Sequence, residues 1–316
     1  MNFIGKLVSG LLAFVFAGIV ISSCHKSTPS SPSSGPNTIT TVLQTANDAT
    51  LFAASMAKCG LDTTFNGTGP FTVFVPTDNA FLTSGVSGTT LNNLSVDSLR
   101  KFLLYHTIAA NLPSASLPAG PNAKLITASG DSVFVTTTAS GVFVNGVPTL
   151  ATDIMASNGV INAMSAPLFP PVGNIMQTIQ IDTSFSYLVA AIVRASQGTH
   201  DLNTMLTSGG PYTLFAPVNY AFRSAGFATT DDIINASPDS IANIVMYNML
   251  DGRTFTSDVT IGQTKTTLND STILFTASGS TKQVTGKGND IPASVLATNV
   301  MARNGVIHVI DKVLLP

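Results

Sequence analysis

The chain has 316 residues, with no glutamate and no tryptophan, and only 9% of it is charged. An average soluble protein is about 25% charged. All 16 acidic residues are aspartate, and they face 14 Lys and Arg for a net charge of -2. Each absence removes a class of function. Without a basic surface there is no electrostatic footprint for nucleic acid. Without Glu there is no His-Glu-x-x-His zinc protease and no closing ligand for an EF-hand. Long solvated helices and coiled coils need Glu and Lys pairs, which are missing. In place of charge stand Thr, Ser and Asn, which suit strands, turns and caps.

The amino terminus carries a strong local signal. Met1 to Lys6 is short and basic, Leu7 to Ile21 is almost wholly apolar, and Ile21-Ser22-Ser23-Cys24 follows. This order of regions describes a secretory signal, with an uncleaved anchor helix as the competing reading. Ile21-Ser22-Ser23-Cys24 resembles the lipobox of bacterial lipoproteins. That resemblance implies cleavage before Cys24 and lipidation of its thiol. Residues 1–23 are then a lipoprotein signal peptide, and residues 24–38 are a Ser/Pro-rich tether with nothing apolar to bury. With Cys24 lipidated, Cys59 is left without a partner for an intrachain disulfide and reads as a buried, inert thiol.

The remainder is one unit written twice. Gly69-Pro70-Phe71-Thr72-Val73-Phe74-Val75-Pro76-Thr77-Asp78-Asn79-Ala80-Phe81 is matched by Gly210-Pro211-Tyr212-Thr213-Leu214-Phe215-Ala216-Pro217-Val218-Asn219-Tyr220-Ala221-Phe222. Tyr105-His106 is matched by Tyr247-Asn248, and Asn158-Gly159-Val160-Ile161 by Asn304-Gly305-Val306-Ile307. Such a long repeat is a domain rather than a solenoid unit. The copies are placed at 39–170 and 172–316, with Pro167, Pro170 and Pro171 at the junction.

Each copy opens with helical spacing. Val42, Ala46, Ala49, Ala53 and Met56 are expected to share one stripe closed by Gly60, and a second helix is expected from Ile175 to about Ala195. Phe71 to Val75 reads as a buried strand. Thr77 and Ser95 read as helix caps, and Ser237-Pro238 as a helix start. Strands are expected at Val133–Val135, Val142–Val147, Ile273–Phe275 and Val306–Ile310. Asn145-Gly146, Asn158-Gly159 and Asn304-Gly305 read as hairpin turns. The expected class is α+β with a largely antiparallel sheet.

These residues carry a family resemblance. The block from Gly69 to Phe81, the Tyr105-His106 pair, and the block from Asn304 to Pro316 with its Asp-x-Val-Leu-x-Pro ending resemble fasciclin (FAS1) domains. The resemblance implies two tandem domains, each a β-sandwich or wedge with helices packed beside it, and an extracellular binding or adhesion role. It also makes Tyr105 and His106 candidate partner contacts, because the Tyr-His motif is tied to receptor binding in animal relatives. The chain departs from the pattern in one respect. The first copy has Asn162 where the second has His308, and the second has Asn248 where the first has His106.

Chemistry-bearing motifs are sparse. The four histidines are His25, His106, His200 and His308, and no two have metal-ligand spacing. There is no Gly-x-Ser-x-Gly and no phosphate-binding Gly-x-x-x-x-Gly-Lys-Ser/Thr. Asp231-Asp232, Asn269-Asp270 and Asn289-Asp290 lack the spacing of a calcium loop and read as turn and cap residues. No catalytic residue, cofactor or metal is assigned. His106 and His308 read as hydrogen-bonded internal groups.

The leading reading is a lipid-anchored binding or adhesion protein of the bacterial cell envelope, on the outer membrane or cell surface, whose partners are extracellular protein or polysaccharide. The alternative is an accessory carbohydrate-binding lipoprotein of an uptake system, using Tyr105, Tyr187, Tyr212, Tyr220 or Tyr247 as sugar platforms. A hydrolase using Asp or Ser is the remote third.

Overall fold

A computed structural model describes residues 37–316. The signal-peptide reading, most of the tether and Cys24 lie outside the described residues. The first domain runs α1 (Ile39–Thr45), α2 (Thr50–Lys58), α3 (Asp62–Phe65), β1 (Phe71–Pro76), α4 (Asp78–Thr83), α5 (Gly88–Asn93), α6 (Val96–Tyr105) and β2 (Thr107–Ile108). Strands β3 (Gly120–Ile126), β4 (Ser132–Thr138), β5 (Gly141–Val144), β6 (Val147–Ala156) and β7 (Gly159–Met164) complete it. The second domain repeats the order with α7 (Ile175–Gln180), α8 (Ser186–Ala195), α9 (Leu202–Ser208), β8 (Tyr212–Pro217), α10 (Asn219–Ser224), α11 (Thr230–Asn235), α12 (Pro238–Tyr247) and β9 (Met249–Asp251). It ends with β10 (Thr264–Thr266), β11 (Thr272–Ser278), β12 (Thr281–Thr285), β13 (Ala293–Ala302) and β14 (Gly305–Ile310).

Each domain is α+β. Its seven strands lie in the orders β2-β1-β7-β6-β5-β4-β3 and β10-β11-β12-β13-β14-β8-β9. All pairings are antiparallel except one per domain, where β1 runs parallel to β7 and β8 parallel to β14. That parallel pair explains the apolar run of β1. Val73 and Val75 join the helices Ile39, Phe52 and Leu103 in one core. Phe74 points the other way, into a core with Val133, Val144 and Met164. A strand buried on both faces shows no polar alternation. The ten-residue β6 bends through two register shifts, with Asp153 at φ 60, so it carries pairing from one half of the sheet to the other.

Local expectations are met at the caps. Thr77 accepts from the Ala80 N–H and Ser95 accepts from the Ser98 N–H, while Pro238 opens α12 behind Ser237, which stands at the cap position but makes no side-chain capping bond. Two expectations are corrected. The first long stripe is two helices, because the chain leaves helical geometry between Ala46 and Ala49. Ala49 and Met56 of the expected stripe are buried, together with Ile39, Leu43 and Phe52, while Val42, Ala46 and Ala53 are only half-buried. The segment from Ile175 to Ala195 likewise breaks, at a short 3₁₀ turn over Thr183–Phe185.

The Asn-Gly pairs also divide. Asn145 (φ 49) and Gly146 (φ 75) form the expected hairpin turn between β5 and β6. Asn158 and Asn304 do not take positive φ. Both still sit in the hairpin turns, β6–β7 and β13–β14, and their side chains also clamp the start of each domain. Asn158 accepts from the Ile39 N–H at 2.9 Å and donates to the Phe65 and Gly67 carbonyls, each at 2.7 Å. Asn304 accepts from Ile175 N–H at 2.8 Å and donates to Leu206 and Gly209. The glycine after each Asn is required by close approach: a Cβ at Gly159 or Gly305 would collide with the carbonyl oxygen of Phe71 or Tyr212.

Candidate functional site at the domain junction

Tyr105 and His106 sit where α6 hands over to β2, and both side chains have 0% exposure. The Tyr105 hydroxyl donates to the Ser132 carbonyl at 3.1 Å and accepts from Asn145 Nδ2 at 2.9 Å. His106 Nδ1 donates to the Phe102 carbonyl at 2.8 Å, and Nε2 accepts from the Leu168 N–H at 2.9 Å. That tautomer follows from its partners, one carbonyl and one N–H. The ring packs against Phe102 with centroids 4.5 Å apart. Burial holds its pKa down at about 4. A partner docking on the closed domain therefore touches neither side chain. What the pair does is fix Leu168, just before the junction, and the Asn145 turn beside it.

Asn248 does the work of His106 in the second domain. Its Nδ2 donates to the Ile244 and Leu314 carbonyls, and its Oδ1 accepts from the Leu314 N–H at 3.1 Å. His308 is 3% exposed, with Nε2 donating to the Thr254 carbonyl at 2.9 Å and Nδ1 accepting from the Asn299 N–H at 3.4 Å. Its pKa is also pushed down to about 4, chiefly by burial. Asn162 accepts from the Asp153 N–H, but its buried Nδ2 has no protein partner. Tyr247 repeats Tyr105, donating to the Thr272 carbonyl at 2.7 Å. With Tyr105 and Tyr247 both fully buried, the tyrosines at the surface or half-buried are Tyr187, Tyr212 and Tyr220.

Cys59 is 3% exposed, and burial raises its thiol pKa, which leaves it in the unreactive protonated form. Among the described residues no group of three or more His, Cys or Asp could hold a metal ion. No helix among them is long and apolar enough to cross a membrane.

The surface with the most character lies between the domains, and sequence reasoning missed it. Phe134 of β4 packs with Phe255, Met301 and Val306 of the second domain. The Arg253 guanidinium lies 4.2 Å from the Phe134 ring centroid, a cation–π contact. Asn122, at φ 59 on a bulge in β3, donates from Nδ2 to the Arg253 carbonyl at 2.9 Å and to Asp258 at 2.8 Å. Asp131 pairs with Lys101 at 3.2 Å and Arg303 at 3.9 Å. A Cβ at Gly146 would sit 2.6 Å from Asn299 and 2.8 Å from Phe255, so the domains meet there without room for a side chain. Beside this contact runs a groove of about 660 Å³, walled by Thr83, Asn145, Phe169 and Val172 on one side and Leu296 and Asn299 on the other. Phe169, Val172 and Leu296 are 53%, 65% and 53% exposed. The one available signal in the sequence was Phe134 itself, a large aromatic at the outward position of a strand flanked by inward valines.

Comparison with known proteins places the chain. The fasciclin domain model matches residues 47–170 and 184–316. Transforming growth factor-beta-induced protein ig-h3 of Sus scrofa is 29% identical over 253 residues, covering 79% of this chain and 35% of that protein. Human periostin is 27% identical over 273 residues, covering 84% of this chain and 30% of that protein. Protein sll1483 of Synechocystis is 30% identical over 175 residues, covering 55% of this chain and 91% of that protein. The chain thus spans about a third of the length of the animal relatives it matches. A solved FAS1 domain pair from the insect cell adhesion molecule Fasciclin I aligns over 85% of this chain and 98% of that chain, at 17% identity and a TM-score of 0.39. With the family model matched in both halves, the chain belongs to the fasciclin domain family and carries two tandem copies of the domain.

Proposed function

We propose that this is a lipid-anchored adhesion or binding protein of a bacterial cell envelope that uses the groove between its two domains to hold an extracellular partner. In this reading residues 39–170 and 172–316 are the modules, residues 24–38 are the tether, and Cys24 carries the lipid. The observation that carries the reading is the groove. Its walls come from both domains, it exposes Phe169, Val172 and Leu296, and no Asp, Lys or Arg lines it. Apolar anchors rimmed by Thr, Ser and Asn suit an extended, weakly charged segment of a protein partner, or a polysaccharide chain of the matrix. Support for binding over catalysis comes from the histidines. His106 and His308 have both ring nitrogens engaged inside the fold, which spends the two family-position imidazoles on structure. Tyr105 and His106 then influence binding by holding Leu168 and Asn145 at the groove rather than by touching the partner.

The test is a binding survey with the purified chain against extracellular matrix proteins and an oligosaccharide array. Leu296→Asp and Val172→Asp are expected to abolish capture while leaving the thermal melt unchanged. Full binding by both variants sinks the groove reading. Metabolic labelling with palmitate, lost in Cys24→Ala, checks the anchor separately.

A further inference from the structure

The internal repeat allows the domain junction to be compared with the two places where an equivalent junction is left open. Strand pairing fixes the equivalences. Phe134 is opposite Lys124 in the first domain as Leu274 is opposite Thr264 in the second. Met155 is opposite Val160 as Met301 is opposite Val306. Within the chain, Phe134 of the first domain meets Met301 of the second, and both are nearly closed to solvent at 8% and 6%. Their counterparts face water. Leu274 is 36% exposed and Met155 is 63% exposed. The second domain thus carries an unused copy of the face that the first domain inserts. The first domain carries an unused copy of the face that receives it.

We infer that copies of this chain associate head to tail, the Leu274 face of one copy docking on the Met155 face of the next. This goes beyond the proposed function, which concerns a foreign partner. The occupant follows from continuity with the junction already inside the chain. A face that fits one fasciclin domain of this sequence is offered a second one of the same build. Such a contact is heterologous, because the two surfaces differ, and it propagates without closing unless the screw happens to close.

The chemistry at the open ends also sets the strength. The polar and aromatic fasteners of the internal junction are not repeated. Arg253 and Phe255 correspond to Asn111 and Pro113, Asp131 to Ser271, and Arg303 to Ser157, from the equivalent loops and strand ends. The cation–π contact and the ion pair therefore disappear, and the apolar pair remains. The copy-to-copy contact is weaker than the internal one, and it assembles chains that are crowded together rather than dilute. The exposed Leu150 on β6, at 61%, enlarges the apolar area on the receiving side.

The experiment is sedimentation equilibrium of the full chain in mild detergent, over a wide range of concentrations, with Met155→Asp, Leu274→Asp and an equimolar mixture of the two. Both positions are exposed, and circular dichroism with a thermal melt confirms folding of each variant. The wild-type chain is expected to form a concentration-dependent series of oligomers. Each variant alone is expected to associate at least about tenfold more weakly. The mixture is expected to regain association and stop at the dimer, since each variant still owns one intact face and the two intact faces are complementary. A wild-type chain that stays monomeric throughout, or variants that associate as well as wild type, overturns the inference. So does a mixture that stays monomeric, since that outcome means the two faces do not meet.

Discussion

Asn162 and His308 occupy the same place in the two domains and complete different fractions of the same task. Each accepts an N–H from the bend in the neighbouring strand, Asp153 for one and Asn299 for the other. Only His308 is long enough to donate onward, to the Thr254 carbonyl, and Asn162 Nδ2 is left buried without a protein partner. His308→Asn is therefore expected to destabilise the second domain by about 1–3 kcal/mol, the cost of a stranded buried acceptor. Urea unfolding of the variant measures it, and a midpoint equal to wild type contradicts the geometry.

The two buried histidines make the fold acid-sensitive in a definite window. Both are neutral in the fold with pKa values near 4, against about 6.5 for an unfolded chain. Between those values the unfolded chain binds more protons, so stability rises with pH there. It is complete above about pH 6.5, declines as pH falls toward 4, and loses nothing further from these groups below that. Urea midpoints across pH 4 to 8 should show the decline, and His106→Asn should remove part of it.

His106→Asn has a second expected outcome, since Asn248 already performs the role in the other domain. An Asn at 106 can donate to the Phe102 carbonyl and accept from the Leu168 N–H, so the cost at neutral pH is expected to stay near 1 kcal/mol. His106→Ala strands both groups and is expected to cost about 2–4 kcal/mol. Equal losses for the two variants, measured by calorimetry, refute the substitution logic.

The Asn clamps should rank among the most sensitive polar positions. Asn158→Ala deletes three hydrogen bonds that tie the first helix, the α3 end and the β6–β7 turn together. A loss of about 2–4 kcal/mol is expected, and Asn304→Ala should match it. Hydrogen exchange would locate the damage at the opening helix of each domain.

Gly146→Ala tests the junction. The added methyl has no space against Phe255 and Asn299, so the domains must move apart. Small-angle scattering should report a longer particle, and the first domain should also lose about 1–2 kcal/mol, because Gly146 sits at φ 75 where an Ala side chain is strained. An unaltered scattering curve refutes the close approach.

Much of the fold was legible in the residues, for identifiable reasons. β1 was readable because a strand buried on both faces has an uninterrupted apolar run, bounded here by Pro70 and Pro76. The helix caps at Thr77 and Ser95 were readable because capping is local chemistry. The turns at Asn158 and Asn304 are readable, but the clamps they make are not, since the partners of their amides are distant in the chain and nothing nearby announces them. The breaks after Ala46 and after Gln180 were hidden because apolar spacing continues through them. The groove leaves no mark in the sequence, and the interdomain contact leaves only the outward aromatic Phe134, for another reason. Which outward-facing residue is covered depends on how one domain rests on the other, and local sequence carries no record of that.

The shortage of charge has a mechanical consequence. Inside each domain the long-range side-chain bonds come mostly from uncharged groups, such as Thr72 to Ala110, Thr213 to Gly252 and the Asn clamps. Among the described residues, both ion pairs converge on Asp131, and one of them spans the domains through Arg303. Dissolved salt weakens partly exposed ion pairs and leaves neutral buried bonds largely alone. Electrolyte therefore acts on two contacts that share Asp131, one within the first domain and one across the joint, and hardly on the clamps and cores. In brackish and in fresh water the same two modules would be held together with a different grip.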